Sequence, residues 1–417
     1  NHGGVFEEVP SQVLQMPKNV GSWNIALGDY DNDGDLDLAV GNVFEQKDLI
    51  FENVSGVFKK TPVWASDDSS VSHGLDWVDY DQDGDLDLSV SAAYSGVKIY
   101  ENINGKISAH AKWESCEVLD FQDLAWADMD RDGDFDLAVS NHNDRPPGGI
   151  FIYKSVSGSL PTCNTWLPRK VRMYLSASDY SSIKTTSWRT DAIKVPGRLA
   201  WGDIDGDGFP ELAASNGDGP TMVFKNVKGE LRKTPIWESS DHENSFDLAF
   251  ADMDNDELTP GLLTLRGADI KNVVYLPHAP IHAIKSVMVD SKEMPRAEYC
   301  YNLKVGWVSF NKVALQSAKE IKIAYVYSTD IDLVVAKSTW QGNPEQGKAD
   351  RIYLNHHGIL NREAEWQTAN KTLSTAVAVG DVDNDGDLDV VFGGEVGWEG
   401  KTKVPQHIYL YLNHTVK

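Results

Sequence analysis

The sequence predicts an all-β fold, a seven-bladed β-propeller of four-stranded antiparallel blades. Three observations lead there. An acidic motif of fixed internal spacing recurs along the chain, each copy opens a short apolar strand, and a glycine–tryptophan pair recurs in phase with it. The intact copies are Asp29 to Asp37, Asp79 to Asp87, Asp128 to Asp136, Asp203 to Glu211 and Asp381 to Asp389. With the related starts Asp252 and Ala324, the first positions step by 50, 49, 75, 49, 72 and 57 residues. A repeat of this period is a supersecondary unit that buries its apolar face only by stacking on neighbours. Residues 1–417 therefore read as a single domain of seven units with insertions at 167–188 and about 279–306.

Each unit divides into four strands. Strand A ends at the first acid, with an apolar residue two positions earlier (Leu27, Trp77, Trp126, Trp201, Phe250, Val379). Strand B follows the acidic loop, as in Leu36 to Val40, and strand C is typified by Leu49 to Asn53 and Val97 to Asn102. A glycine turn leads to strand D, which ends at a tryptophan eight positions on: Gly56/Trp64, Gly105/Trp113, Gly158/Trp166, Gly229/Trp237 and Gly358/Trp366. β-Branched and aromatic residues fill these stretches, and Gly, Asn and Asp punctuate them. The in-phase tryptophans read as blade-packing residues. Trp188 lies fifteen positions before Asp203, the spacing seen from Trp64, Trp113, Trp237 and Trp366 to their next acids, so 167–188 reads as an insertion in a D–A crossing. The chain ends on a C-type strand, Ile408 to Asn413, while Gly4 to Pro10 aligns on Gly56 to Pro62. Residues 4–12 are thus expected to complete the last blade and remove the open edges.

The acids sit at positions 1, 3, 5 and 9 of the motif, with Gly at position 6. Carboxylates so close together repel one another unless a cation lies among them. An oxygen-only donor set suits Ca²⁺, which takes six to eight oxygens. An EF-hand would need Glu at position 12, where the first copy has Val40 in a strand. Two units depart. In the fifth, Asp252, Asp254 and Asp256 remain but Glu257 replaces Gly and Pro260 the last acid, so weak metal or none is expected. In the sixth, Ala324, Val326 and Ser328 replace the acids and only Asp330 and Asp332 persist, so metal is expected to be lost.

These motifs resemble the FG-GAP/VCBS repeat family, the calcium-binding propeller type of integrin α-subunits. The resemblance implies Ca²⁺ held by the side chains at positions 1, 3, 5 and 9 with the position-7 carbonyl. That gives Asp29, Asp31, Asp33, Asp37 with Asp35; Asp79, Asp81, Asp83, Asp87 with Asp85; and Asp128, Asp130, Asp132, Asp136 with Asp134. It also gives Asp203, Asp205, Asp207, Glu211 with Phe209, and Asp381, Asp383, Asp385, Asp389 with Asp387. Five structural ions are implied, with no open position for metal catalysis.

A net charge of −25 argues against nucleic acid as a partner, since phosphate contacts need a basic face. No apolar run is long enough to span a membrane. Three cysteines, Cys116, Cys163 and Cys300, are too few for a disulfide framework, and the odd count leaves at least one thiol free or paired between chains. The chain opens on Asn1, which reads as a processed product or a trimmed chain, and Asn53, Asn370 and Asn413 head glycosylation sequons. Calcium loops of modest affinity fill outside the cell, so a secreted or cell-surface protein is expected.

The face opposite the acidic loops reads as the binding face, because length variation on a rigid scaffold collects at binding loops. Its candidates are Trp340 and Trp398, aromatic planes beside polar groups, and the cluster His142, Asp144 and Arg145. Three functions compete: a calcium-stabilised recognition or adhesion propeller binding glycan or protein, a polysaccharide lyase using groups such as His73, Tyr94, His142 and Arg145, and a structural subunit of a surface layer or filament. The assembly state is not legible in the sequence.

Overall fold

The computed structural model describes residues 12–14, 16, 21–43, 46–142, 148–163, 186–190, 192–193, 195–338, 347–369, 371–383, 385–394, 397–399, 402–404 and 408–414. The described residues are all-β apart from two short 3₁₀ turns, and no helix is long and apolar enough to cross a membrane.

Six antiparallel sheets follow the repeat. The first joins Ser22–Gly28, Asp37–Asn42, Leu49–Phe51 and Trp64–Ala65 in that order. The second and third run from Val71–Val78 to Trp113–Glu114 and from Phe121–Ala127 to Trp188–Thr190. The fourth runs from Pro196–Gly202 to Trp237–Glu238. The fifth joins Ser245–Ala251, Asp332–Lys337, Arg351–Tyr353 and Trp366–Gln367, and the sixth Ser374–Gly380, Asp389–Gly394 and Ile408–Tyr411. One register is common to all: the residue before the first acid pairs with the position-9 acid, as in Gly28↔Asp37, Val78↔Asp87, Ala251↔Asp332 and Gly380↔Asp389. The first strands of consecutive sheets pack side by side from the first sheet to the sixth, an arrangement consistent with a β-propeller.

Three kinds of contact join neighbours. Near the axis, the indoles of Trp77 and Trp201 donate to Ala26 O (3.3 Å) and Ala125 O (3.2 Å) of the preceding strand. Gly28 is required there, because a Cβ would lie 2.5 Å from the Trp77 ring. At the outer edge, each strand-D tryptophan meets a strand-C aromatic of the next sheet edge-on: Trp64–Tyr100, Trp113–Tyr153, Trp188–Phe224, Trp237–Tyr353 and Trp366–Tyr411, with centroids 5.1–6.0 Å apart. Edge-to-face pairs of this kind add about 0.5–1.5 kcal/mol beyond area burial. Between them, the asparagine ending strand C reaches back one sheet. Asn102, Asn226, Asn355 and Asn413 donate to Tyr30 O, Met129 O, Ile204 O and Met253 O at 2.6–2.7 Å.

Two expectations change. Ala324 does not begin a unit: residues 258–328 form an inserted module between the two halves of the fifth acidic loop, and Asp332 opens that sheet's second strand. Six repeat sheets are therefore seen where seven units were expected. The module has its own sheets, Leu258–Arg266, Glu320–Ser328, Ala283–Val289 and Lys292–Glu293, and Val273–Tyr275, Trp307–Phe310 and Tyr299–Tyr301, around Val287, Val308, Phe310, Ile321 and Ile323. The stretch 279–306 is part of it.

The second change is at Trp188, which pairs with Ile152 as Trp64 pairs with Ile50. Trp188 is thus the strand-D tryptophan of the third sheet in place of Trp166, and the extra residues fall in the C–D connection, where 164–185 lie outside the described residues. Of the sequon asparagines, Asn53 and Asn413 are half-buried and their amide nitrogens donate to Leu36 O and Met253 O; Asn370 lies outside the described residues. The closing strand expected at 4–12 lies outside the described residues except for Gln12, which donates to Gly56 O and accepts from Phe58 N of the hairpin formed by Asn53–Val54 and Val57–Phe58. Trp23, Ile25 and Leu27 of the first strand are exposed.

Replacing Asn102 by Ala strands the buried carbonyls of Tyr30 and Leu86. It should lower the unfolding free energy by about 1–3 kcal/mol. Urea titration measures this, and an unchanged midpoint would show that the asparagine does not clamp the seam.

Candidate metal centres

Each acidic loop is a turn between the first two strands of a sheet, and its carboxylates first organise its own backbone. In the first loop, Asp29 accepts from Asp33 N (3.0 Å) and Gly34 N (3.1 Å), and Asp33 accepts from Asp35 N (2.9 Å). Asp37 accepts from Tyr30 N (3.3 Å) within the loop and from Asn53 N (2.8 Å) on strand C. The position-9 bonds recur at Asp87, Asp136, Glu211, Asp332 and Asp389. The turn needs positive φ at position 6: Gly34 has +96°, Gly84 +99° and Gly386 +101°.

These bonds leave carboxylate oxygens over. Asp31 Oδ1, Asp79 Oδ1, Asp130 Oδ1, Asp203 Oδ1 and Asp256 Oδ1 are buried without a hydrogen-bond partner. Ligand atoms of Asp29, Asp31 and Asp33, of Asp79, Asp81 and Asp87, and of Asp128, Asp130 and Asp132 lie within 4.8 Å of one another in each group. Converging, unsatisfied, oxygen-only donors fit a hard divalent cation.

Without a cation, burial and the neighbouring acids hold protons on the carboxylates. Burial first, then other carboxylates of the loop, raise Asp37 to about 8 and Asp87 to about 9. Asp79 and Asp136 are raised to about 7 and Asp332 to about 8, again chiefly by burial.

The fifth loop is the largest departure from sequence reading. Asp252, Asp254 and Asp256 stand before the inserted module, and Asp330 and Asp332 after it take positions 7 and 9. The remnants of two decayed copies are one complete loop. Met253 N and Asn355 N donate to Asp332 at 2.7 and 2.8 Å, as their counterparts do elsewhere. Glu257 keeps the left-handed backbone of position 6, with φ +47°. The Asp–x–Asp pattern marks both halves, but the chain between them hides their partnership.

The loops also touch one another and the module. The position-4 side chain of one loop meets position 7 of the next: Asn32 donates to Asp85 (2.6 Å), Asn255 to Asp387 (2.5 Å), and the Arg131 guanidinium lies over the Phe209 ring. From the module, Ser309 donates to Asp29 (2.9 Å), Asn311 to Asp33 O (2.7 Å) and Lys312 to Asp31 O (2.8 Å). The Tyr275 hydroxyl accepts from Asp79 N (2.8 Å), Lys271 donates to Gln82 O, and His282 Nε2 lies 2.9 Å from Gly386 O.

The first strands line a cavity of about 940 Å³ that also takes in His282, Asn302 and Lys304 of the inserted module. Arg198 donates to Asp123 (3.0 Å) and to His73 O (2.9 Å), while Asp123 and Asp247 accept from Leu199 N and Val377 N of the next sheet (both 2.9 Å). Trp23 meets His73 edge-on at 4.6 Å, and His142 lies at the same mouth. Burial, then Arg198, lowers His73 to about 4. Of the expected ligand-face residues, Asp144, Arg145 and Trp340 lie outside the described residues, and Trp398 falls in the strand Gly397–Glu399.

Residues 79–139, 203–259 and 329–392 match the FG-GAP-like repeat family, and the last two segments stop and resume at the borders of the inserted module. No curated protein matches the chain. Among solved structures, BBS1N in complex with ARL6DN is similar at 13% identity and TM-score 0.38, over 88% of each chain. An active polycomb repressive complex 2 in the basal state is similar at 11% identity and TM-score 0.39, over 81% of this chain and 67% of that one.

The raised carboxylates set a pH dependence for the metal-free protein. The folded state holds protons that the unfolded state releases near pH 4, so this stability is present at low pH and is lost as pH rises through the folded values. In EDTA, Tm should fall steadily from pH 6.5 to 9. A Tm that is flat or rising over that window would contradict the burial of unneutralised carboxylates.

Proposed function

Because the chain belongs to the FG-GAP repeat family, we propose that it is an extracellular recognition propeller whose acidic loops bind Ca²⁺ as structural ions. The observation that carries this reading is the set of buried, unpartnered carboxylate oxygens converging in successive loops. Asp29, Asp31, Asp33 and Asp37, Asp79, Asp81, Asp83 and Asp87, and their counterparts would hold the ions. Asp252, Asp254, Asp256 and Asp332 join the same scheme as a split site. Each ion would cancel the repulsion that burial intensifies, and would anchor loops on which the inserted module rests.

The partner surface is the face away from the acidic loops. The module already contacts the loop face through Tyr275, Ser309, Asn311 and Lys312. The opposite mouth offers Trp23 beside His73, Gln122, His142 and Arg198, an exposed aromatic plane flanked by polar groups that suits a sugar ring. Glycan is the ligand class we favour, with a protein surface second. A disulfide between Cys116 and Cys163 supports an oxidising, extracellular compartment.

Adding saturating Ca²⁺ to EDTA-treated protein should raise Tm by several degrees, since a ligand bound only by the native state adds its binding free energy to folding. Identical melting curves would remove the structural role. On a glycan array run with Ca²⁺, binding should be weakened at least tenfold by Trp23→Ala. Binding that survives this substitution unchanged would move the ligand site elsewhere.

A further inference from the structure

The residue preceding the end of strand C differs in charge from sheet to sheet, and in the third and fourth sheets its side chain reaches the acidic loop of its own sheet. It is Glu52 and Glu101 in the first two sheets, Lys154 and Lys225 in the next two, and Leu354 and Leu412 in the last two. In the fourth sheet the Lys225 ammonium lies 2.6 Å from Asp205, 2.9 Å from Asp207 and 2.9 Å from Glu211. Those are three of the four side chains that the motif assigns to a metal ion. An ammonium has three hydrogens to donate, so each meets one carboxylate, and the Lys225 side chain is only 15% exposed.

Two other features lower the negative charge of this loop. Phe209 stands at position 7, where the other described loops have aspartate, and the Arg131 guanidinium lies 5.7 Å from the centre of its ring. The first and second loops, by contrast, combine five aspartates with a nearby glutamate. The third is intermediate: Lys154 pairs with Asp130 alone.

We infer that Lys225 is a built-in counter-ion that takes the place of a divalent cation in the fourth loop. This rests on the reading that the other loops take Ca²⁺, and it makes the number of bound ions smaller than the number of loops. A lysine is covalently held and cannot be removed by chelation, so the fourth sheet keeps its loop organised at any calcium concentration. The divalent sites are then concentrated in the first, second, fifth and sixth sheets.

The test is a count of bound calcium by equilibrium dialysis with labelled Ca²⁺ at about 1 mM, a concentration that fills modest-affinity extracellular sites. Lys225→Gln should gain one equivalent over the wild-type chain. Asp207→Asn, which leaves Lys225 in place, should leave the count unchanged, whereas Asp33→Asn in the first loop should lose one. An unchanged count in Lys225→Gln, or the loss of one equivalent in Asp207→Asn, overturns the inference. Should Lys225→Gln fail to fold, Asp207→Asn decides alone. A wild-type chain that binds no calcium overturns the calcium reading itself, a result distinct from either.

Discussion

Carboxylate crowding at the turns between the first two strands of each sheet is the constraint on which the rest of the structure depends. The same acids shape the turn, fix the third strand through the position-9 carboxylate, and present position 7 to the neighbouring loop. A turn that does all this must be acidic and buried together. That combination is unfavourable for free carboxylates, whose charged form loses its hydration. The cost is lowered by protons held on the carboxylates, by a cation such as the ion we propose, or by one of the protein's own side chains, as Lys225 does in the fourth sheet.

The inserted module shows how far the repeat tolerates interruption. The pairing of Ala251 with Asp332 is the same as that of Gly28 with Asp37, although the two halves of the turn are separated by residues 258–328. Closing a longer loop costs only slowly more entropy, and the module has a core of its own to offset its ordering. It enters and leaves beside the fifth loop and settles on the loops of the first and second sheets. The acidic side of the molecule is thus a surface for internal assembly, and the opposite mouth, with Trp23 and Arg198, is the face we propose for a partner.

Much of this was legible in the sequence, for a physical reason. The acids and the in-phase tryptophans each satisfy a contact that recurs from sheet to sheet, so their spacing carries the strand order, and four of the five tryptophan–aromatic seams follow from it. What was not legible depends on partners distant in the chain. Asp256 and Asp330 belong to one loop only because strands 245–251 and 332–337 pair. Alternation across Glu320–Ser328 imitates a repeat strand because any half-buried strand has that period. Trp166 and Trp188 compete for one role, and only the pairing with Ile152 decides it. The asparagines at 53 and 413 carry a glycosylation pattern while their amides are spent on backbone carbonyls. Lys225 stood in view beside Asn226, but its meaning required the third strand to lie alongside the acidic turn.

The most direct measurement is an anomalous difference map from crystals grown with calcium, collected at long wavelength. The account predicts peaks among Asp29, Asp31, Asp33 and Asp37 and among Asp79, Asp81, Asp83 and Asp87. Featureless density in both turns at saturating calcium would contradict it.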